Sequence, residues 1–348
     1  MRVAILYNTT AADATTAERD VLVQRDAVRD AVSTFASDVR SMPCSLDLAT
    51  AGARLAEVDP TVVFNLVESL GGSDRLMSVV PALLDTLGHP YTGCGTEAIV
   101  LTTNKVLAKQ QLRRAGLPTP PWLGSAHGPT AVPGAQTVTS GMTYPCRVVI
   151  KTVWEHASYG LDDRSLVVVD DVEALTRRLV ERERELGRPC FAEAFVDGRE
   201  FNVSLVTTVA GAPDVLPVAE IDFSAFPPGK PRIVGASAKW EPETFEYSHT
   251  PRCFEFAPDD AGLVAELAEL SRRCWDLFGL RGYARVDFRV DTAGRPWILE
   301  VNANPCLSPD AGFAAAVDRA GLSYDTTIQQ IVECAVRRSD PHLRATPV

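Results

Sequence analysis

Arg285-Val286-Asp287-Phe288 and Ile298-Leu299-Glu300-Val301-Asn302-Ala303-Asn304-Pro305 are the two stretches that decide the interpretation of this chain. Each is short and apolar with alternating polar residues, which is typical of a β-strand. Asp291-Thr292-Ala293-Gly294 between them has the composition of a turn, so the region predicts a hairpin. In such a hairpin, Asp287 and Glu300 lie opposite each other on neighbouring strands.

Three oxygen-bearing side chains of this hairpin form a candidate metal site. Glu300 and Asn302 are two residues apart and therefore project from the same face of their strand, opposite Asp287. Carboxylate and amide oxygens suit Mg²⁺, which takes oxygen ligands and is often shared with substrate phosphates. The alternative is an ordinary surface hairpin with its acidic residues on the solvent-exposed face, but Asn-Ala-Asn-Pro is an unusual end for such a strand.

The composition restricts the class of protein. The chain has 348 residues, 46% of them hydrophobic, which predicts a globular protein of two or three domains. A net charge of −11 and a pI near 5.0 argue against nucleic acid or an anionic membrane as a partner. No run of about 18 apolar residues occurs. Eight scattered cysteines without a C-x-x-C pair predict reduced thiols in a cytoplasmic protein.

The first hundred residues alternate between strand and helix patterns, which predicts an α/β layer with a parallel sheet. Strands are predicted over residues 3–7 and 62–66, and helices over 17–35 and 79–87. No G-x-G-x-x-G follows the first strand, so the dinucleotide-binding pattern is absent. Further predicted elements are helices at 105–115, 172–186, 259–278 and 324–337 and strands at 147–151 and 165–169. A Gly/Pro/Ser/Thr-rich surface segment at 124–143 and a frayed tail after 340 complete the prediction.

The hairpin resembles the metal site of the ATP-grasp superfamily and, within it, of the D-alanine–D-alanine ligase-like enzymes. The resemblance extends from about residue 62 to 332 and is most specific in the last third. It implies an N-terminal parallel α/β domain followed by a two-lobed ATP-grasp fold. The corresponding domains are residues 1–101 for the substrate domain, 102–194 for the central lobe and 195–348 for the C-terminal lobe with the metal site. It also implies ATP and Mg²⁺ as cofactors, with two metal ions and Mn²⁺ as a substitute.

The resemblance also implies a set of nucleotide-binding residues, and their chemistry suits those roles. A lysine is a compact charge for phosphate oxygens, and a carboxylate accepts hydrogen bonds from adenine or ribose. For Lys105, an ordinary solvated helix lysine is the alternative. The implied residues are Lys105 and Lys151 at the phosphates, Ser158 in the loop over the triphosphate, Glu193, Ala194 and Val196 at adenine, Glu200 at ribose, and Lys239 on a mobile loop at the γ-phosphate.

The implied reaction joins a carboxylate to an amine. The carboxylate attacks the γ-phosphate to give an acyl phosphate and ADP, and the amine then displaces phosphate. Arg285 resembles the residue that stabilises the tetrahedral oxyanion, and with Lys239 forms the predicted catalytic pair. The alternatives are phosphoryl transfer to a hydroxyl, or an ATP-binding sensor or scaffold without catalysis. Many relatives are dimers, which predicts a homodimer acting on small amino-acid-like substrates.

The substrate end departs from the family pattern. Glu68 stands where many D-alanine ligases have a histidine, and Trp240 stands where many have a tyrosine. The stretch 307–313 lacks their serine-leucine pair, which leaves Ser308 and Gly312 as candidate substrate residues. A carboxylate at position 68 attracts an ammonium group. We therefore expect an amino acid substrate, with D-alanine weak or not unique; a true D-alanine–D-alanine ligase of cell-wall synthesis is the alternative.

Overall fold

The computed structural model describes residues 1–124, 141–208 and 211–339. Most of the predicted surface segment at 124–143 and all of the predicted frayed tail lie outside these residues. Within them, no helix is long and apolar enough to cross a membrane. All eight cysteines are free thiols.

The N-terminal part is a three-stranded parallel sheet flanked by helices, as predicted. Its strand order is β2-β1-β3. A capping box of Thr15 and Glu18 starts the first helix, because each side chain satisfies a backbone N–H of the other residue. The elements are β1 (Arg2–Asn8), α1 (Thr16–Ser33), β2 (Asp38–Cys44), α2 (Leu48–Val58), β3 (Val62–Leu66), α3 (Val79–Leu87) and α4 (Thr96–Thr103).

The central part is a four-stranded antiparallel sheet with the order β4-β7-β5-β6. Helix α6 packs its buried Leu175 and Leu179 against the core of this sheet. The elements are α5 (Lys105–Arg114), β4 (Trp122–Gly124), β5 (Cys146–Thr152), β6 (Leu166–Val169), α6 (Val172–Leu186) and β7 (Cys190–Ala194).

The C-terminal part is a second antiparallel sheet, with the order β11-β10-β8-β12-β13 and β9 paired to β8. Its strands are β8 (Gly198–Thr207), β9 (Pro213–Val215), β10 (Ala219–Ile221), β11 (Arg252–Cys253), β12 (Tyr283–Asp291) and β13 (Pro296–Asn302). Its helices are α7 (Ala236–Trp240), α8 (Phe245–Ser248), α9 (Ala261–Phe278), α10 (Gly312–Arg319) and α11 (Tyr324–Ser339). A parallel N-terminal sheet followed by two antiparallel sheets confirms the predicted fold class.

One hydrophobic core joins the two ends of the chain. Val3, Ile5 and Phe64 from the first sheet pack in the same cluster as Phe313 of α10 and Ile328 of α11. All five side chains are at most 1% exposed, so this contact removes large apolar areas from water. The core therefore fixes the N-terminal helix α1 beside the loop that follows β13, where the predicted substrate residues lie.

Candidate active site

The hairpin of β12 and β13 has the predicted register. Asp287 pairs with Glu300, and Arg285 pairs with Asn302. On the other side, β8 places Asn202 opposite Asp287, and the Asn202 side-chain amide donates to Asp287 Oδ1 at 2.8 Å. Directly opposed residues point to the same face of a sheet. The predicted metal ligands therefore share one face.

Asp287 is paired with the predicted oxyanion stabiliser. Arg285 donates from Nε to Oδ1 at 2.7 Å and from Nη2 to Oδ2 at 2.8 Å, a bidentate contact. Burial alone would lower the pKa of Arg285, but the charge of Asp287 outweighs burial and raises it. Arg285 therefore remains a cation next to the metal-site carboxylate.

Glu300 is surrounded by cationic and hydrogen-bonding groups. Lys105 Nζ lies 3.8 Å and His156 Nδ1 lies 3.4 Å from Glu300 Oε1. Burial opposes ionisation, but Lys105, His156 and Lys239 together hold the pKa of Glu300 well below its usual value. The side-chain amide oxygen of Asn302 accepts a hydrogen bond from the backbone N–H of Asn304 at 3.0 Å. Two carboxyl groups and an amide oxygen on one face fit a hard divalent cation.

The buried Lys109 and the half-buried Lys151 share one buried carboxylate. Glu193 is 2% exposed; its Oε2 lies 2.6 Å from Lys109 Nζ, and its Oε1 accepts from Lys151. Burial raises the pKa of Glu193, but the two lysines overcome this and lower it. Burial lowers the pKa of Lys109, which is 1% exposed and also donates to Thr119 Oγ1 at 2.9 Å. The carboxylate predicted to face adenine is thus directed at the lysines, and one of these is the predicted phosphate-contacting Lys151.

The predicted triphosphate loop and the predicted mobile loop contact each other. Trp240 Nε1 donates to the Ala157 carbonyl at 3.0 Å, and Ser158 Oγ donates to the Val234 carbonyl at 3.0 Å. Ala157 and Ser158 adopt positive φ angles of 57° and 60°, which are uncommon for residues with a Cβ. Burial and the charge of Arg285 lower the pKa of Lys239, which precedes this tryptophan. Trp240 therefore latches the loop through its one N–H donor.

The predicted adenine and ribose residues lie at the end of β7, on the short connection that follows it and at the start of β8. The Ala194 N–H donates to the Pro121 carbonyl at 2.9 Å. Arg289, which is 3% exposed, donates to the Val196 carbonyl at 3.0 Å and to Glu200 Oε2 at 2.9 Å. This arginine was not among the predicted residues, although its alternation with Arg285 and Asp287 along β12 places all three on one face.

Helix α1 contributes two residues to the substrate end that the sequence interpretation missed. Ser308 Oγ donates to Asp20 Oδ1 at 2.8 Å, and the Leu307 N–H donates to Gln24 Oε1 at 2.9 Å. Gln24 is 1% exposed and lies between Val21 and Val28 on the buried stripe of the helix. A polar residue within an apolar stripe was the signal that could have identified it.

Glu68 lies in this cluster of polar groups. Its Oε1 accepts from Gln24 Nε2 at 2.8 Å. Burial raises the pKa of Glu68 to about 7, with smaller contributions from the negative charges of Asp20 and Asp74, while the Gln24 hydrogen bond opposes the shift. The side chain of Asp74 in turn accepts a hydrogen bond from the backbone N–H of His156 at 2.8 Å. The N-terminal part thus presents three carboxyl groups towards the site, and among the residues that the structure describes only neutral groups donate to them.

Comparisons with known proteins agree with this architecture. The family model described as D-ala D-ala ligase C-terminus matches residues 111–333. The D-alanine–D-alanine ligase of Methylococcus capsulatus is 30% identical over 318 residues, covering 91% of this chain and 92% of the relative. That of Moorella thermoacetica is 30% identical over 288 residues, covering 82% and 85%. An uncharacterised protein of Sinorhizobium fredii, y4sG, is 30% identical over 277 residues, covering 80% and 75%.

Solved structures show the same fold. A D-alanine–D-alanine ligase from Bacillus anthracis, complexed with ATP, aligns with a TM-score of 0.67 over 97% of this chain and 98% of that one, at 19% identity. The D-alanine–D-alanine ligase from Coxiella burnetii aligns with a TM-score of 0.66 over 99% and 96%, at 16% identity.

Proposed function

The chain belongs to the D-alanine–D-alanine ligase family, and from this membership and the site geometry we propose that it is an ATP-dependent carboxylate–amine ligase. The reaction activates a carboxylate as an acyl phosphate, releases ADP, and forms an amide when an amine displaces phosphate. The observation that carries this proposal is the Asp287–Glu300 pair, facing the site together with Lys105, Lys239 and Arg285.

The cations of the site have different proposed roles at the triphosphate. Lys105 and Lys151 bind phosphate oxygens as point charges. Lys239 approaches the γ-phosphate from the loop that Trp240 latches, and closure of that loop excludes water from the acyl phosphate. Ser158 offers a hydroxyl and a backbone N–H from the facing loop.

Asp287, Glu300 and Asn302 would hold Mg²⁺. When bound, the metal supplies positive charge that neutralises phosphate oxygens during transfer. We propose that the site holds two Mg²⁺ ions. Mn²⁺ can substitute for Mg²⁺, because both metals prefer oxygen ligands. Arg285 stabilises the oxyanion of the second step, since its guanidinium stays charged without a proton transfer.

Adenine and ribose would lie against the connection between β7 and β8. Backbone groups of Ala194 and Val196 border the adenine edge, and Glu200 accepts from the ribose hydroxyls. Glu193 would contribute mainly by holding Lys151, because both of its oxygens already face lysines.

For the substrates, we propose an amino acid or related carboxylate joined to an amino acid amine. Glu68 suits the ammonium group of the activated amino acid, and Ser308 and Gly312 border the site of the second substrate. D-Alanine would be a weak or non-unique substrate. Steady-state kinetics on D-alanine alone tests this, and rapid saturable synthesis at millimolar concentration would instead favour a true D-alanine–D-alanine ligase, which the names of the relatives support.

Product analysis tests the chemical path. We expect ADP and phosphate, because the proposed lysines and metal ligands resemble those of enzymes that cleave the terminal phosphate. Hydroxylamine in place of the amine should trap the acyl phosphate as a hydroxamate. AMP and pyrophosphate as the main products, or ADP release without any hydroxamate or amide, would contradict the proposal.

Three further features are proposed from the fold, the composition and the family. The three sheets support domains at 1–101, 102–194 and 195–348. Eight free thiols support a cytoplasmic location. A homodimer is proposed by analogy with the family, and light scattering would test it.

A further inference from the structure

Gln24 is a buried side-chain amide that joins two separate parts of the proposed substrate site. It lies on α1 and is 1% exposed. Its Oε1 accepts from the backbone N–H of Leu307 at 2.9 Å, and its Nε2 donates to Glu68 Oε1 at 2.8 Å. A backbone N–H can only donate and a carboxylate can only accept, so these two contacts fix the direction of the amide.

Packing alone does not require an amide at this position. Gln24 shares the buried stripe of α1 with Val21, Val28 and Ala31, where an apolar side chain of similar length would fill the space. Burying an amide costs free energy unless its donor and acceptor groups are paired. The two bonded partners, and not the helix or its core, therefore account for a glutamine here.

The first partner is the loop that follows β13, and α1 holds this loop through several bonds. The Leu307 N–H is bonded by Gln24. Asp20, one turn earlier on α1, accepts from Cys306 Sγ at 3.0 Å and from Ser308 Oγ at 2.8 Å. Leu307 and Ser308 are at most 1% exposed, so the loop has little room to move relative to α1.

The second partner, Glu68, follows β3 of the first sheet. Its backbone N–H donates to Asn8 Oδ1 at 3.2 Å, which ties it to β1. Among the residues that the structure describes, Gln24 is the one side chain that donates to the Glu68 carboxyl group. Asp20 and Asp74 also face this group, but they contribute only negative charge and cannot replace the amide.

We propose that Gln24 is a positioning residue that fixes the spacing between Glu68 and the loop after β13, and so aligns the activated amino acid with the amine that attacks it. The inference rests on the proposed ligase function, in which Glu68 binds the ammonium group of the activated substrate. The loop carries Ser308, which borders the proposed site of the second substrate. A side chain of fixed length and direction between the two sets the distance across the reacting pair.

Two substitutions separate the two bonds. Gln24→Glu keeps an acceptor for the Leu307 N–H but places a like charge against Glu68. It should raise the KM for the activated amino acid by about tenfold to a hundredfold at neutral pH, and amide formation at saturation should stay within about threefold of wild type. Gln24→Met has a similar length and loses both bonds, so it should also lower amide formation at saturation by about tenfold or more. The KM for ATP should not change in either variant.

The assay separates binding of the first substrate from alignment with the second. Alanine, serine and lysine are offered in both enantiomers, and the amino acid with the highest wild-type rate is used for all variants. Hydroxamate formed with hydroxylamine gives the KM of the activated amino acid. Amide formed when the same amino acid supplies the amine reports alignment, so Gln24→Met should lose more amide than hydroxamate.

The pH dependence of this KM is a readout that a purely structural role would not change. Ionised Glu68 attracts the ammonium group, and the Gln24 hydrogen bond opposes the upward shift of the Glu68 pKa. Loss of this bond should move the fall in KM upward by about one to two pH units, the equivalent of one charged hydrogen bond. Four other titratable groups face Glu68 and are the same in every variant, namely Asp20, Asp74, Cys306 and Tyr283.

Unfolding of the ligand-free protein tests the bond without any reaction. The stability that Glu68 contributes is present below about pH 4.5 and is lost as the pH rises through its folded-state pKa of about 7. In Gln24→Met this loss should extend to higher pH than in wild type. Gln329 is the matched control, because its Nε2 also donates to a carboxylate, Glu333 Oε1, at 2.8 Å on α11. Gln329→Glu and Gln329→Met should leave the KM and both pH profiles unchanged.

Failure of the ligase function and failure of this inference have different signatures. If the wild type forms neither hydroxamate nor amide with any amino acid, the ligase function fails and the alignment fails with it, while the unfolding profile still reports whether Gln24 acts on Glu68. If the wild type is active but both Gln24 variants raise the KM by the same factor at every pH, the inference is wrong. It is also wrong if the Gln329 variants have the same effect, or if the KM for ATP rises instead.

Discussion

The proposed ATP end and the proposed substrate end of this site balance their charges in different ways. At the proposed ATP end, carboxylates are matched with cations: the buried Glu193 with Lys109 and Lys151, and the half-buried Asp287 with Arg285. At the substrate end, Glu68 is bonded by the neutral side-chain amide of Gln24. Ion pairing lowers the pKa of Glu193, whereas burial raises the pKa of Glu68 to about 7.

This difference distinguishes groups that are held in place before a ligand binds from groups that select the ligand. Charges that are compensated inside the protein hold their geometry before a ligand arrives, which suits a cosubstrate shared by a whole family. Charges that lack a partner lose solvation without compensation and are stabilised when a complementary ligand binds. We therefore propose that Glu68, whose hydrogen-bond donor is the neutral amide of Gln24, takes part in selecting the substrate.

The largest expected effect is at the metal site. Asp287→Asn and Glu300→Gln should each lower kcat by about a thousandfold or more, because a bound metal supplies several kcal/mol of charge stabilisation. Both variants should stay folded, since the new amides can still accept hydrogen bonds from Arg285 or His156. Steady-state assays with saturating Mg²⁺, together with thermal unfolding, make the measurement. If both variants retained activity, Asp287 and Glu300 would not be metal ligands.

The next effect tests whether the ATP end is preorganised. Glu193→Gln should lower the free energy of unfolding by about 3–5 kcal/mol without any nucleotide, because it leaves the buried Lys109 and the half-buried Lys151 without a carboxylate. Exposed Glu266→Gln is the control and should change stability by less than about 0.5 kcal/mol. Chemical denaturation of the nucleotide-free protein measures both. Unchanged stability would mean that Glu193 serves adenine alone.

The two ends of the site also differ in how much of them could be predicted from the sequence. The opposition of Asp287 and Glu300 follows from strand alternation and a turn, so local patterns were sufficient. The edge strand β2 was missed, because its Arg40, Ser41 and Pro43 break the apolar pattern. The pairing of Asp20 with Ser308 joins residues 288 positions apart, which no local pattern encodes. The edge strand β11 was missed for another reason, since a two-residue strand carries almost no periodicity.

A pH experiment sharpens the comparison at the substrate end. The pKa of Glu68 is raised in the folded state, so its contribution to stability is complete below about pH 4.5 and is lost as pH rises through about 7. Glu68→Gln should remove this loss, which amounts to about 1–3 kcal/mol. Asp20, Asp74, Cys306 and Tyr283 also face this group, so the wild type and the variant are compared over the same pH range.

Binding should change with pH in the opposite sense. Ionised Glu68 attracts the ammonium of the activated amino acid, so its KM in the hydroxamate assay should fall as pH rises from about 6 to 8. Glu68→Gln should have a high KM that is flat across this range. A pH-dependent KM that persists in the variant would assign the titration to another group and remove Glu68 from recognition.

The smallest effect concerns the latch between the two loops. Trp240→Phe keeps an aromatic ring but loses the 3.0 Å hydrogen bond to the Ala157 carbonyl. Such a bond contributes about 0.5–1.5 kcal/mol, so the open loop should be populated about twofold to tenfold more. Water then reaches the acyl phosphate, and the ratio of ADP to amide product should rise by a similar factor. Trp297→Phe is the matched control, because it removes an indole bond to Asp291 at the hairpin turn and not at the latch. If Trp240→Phe and wild type give the same ratio of ADP to amide, the latch has no part in excluding water, and the preorganisation of the ATP end resides in its ion pairs alone.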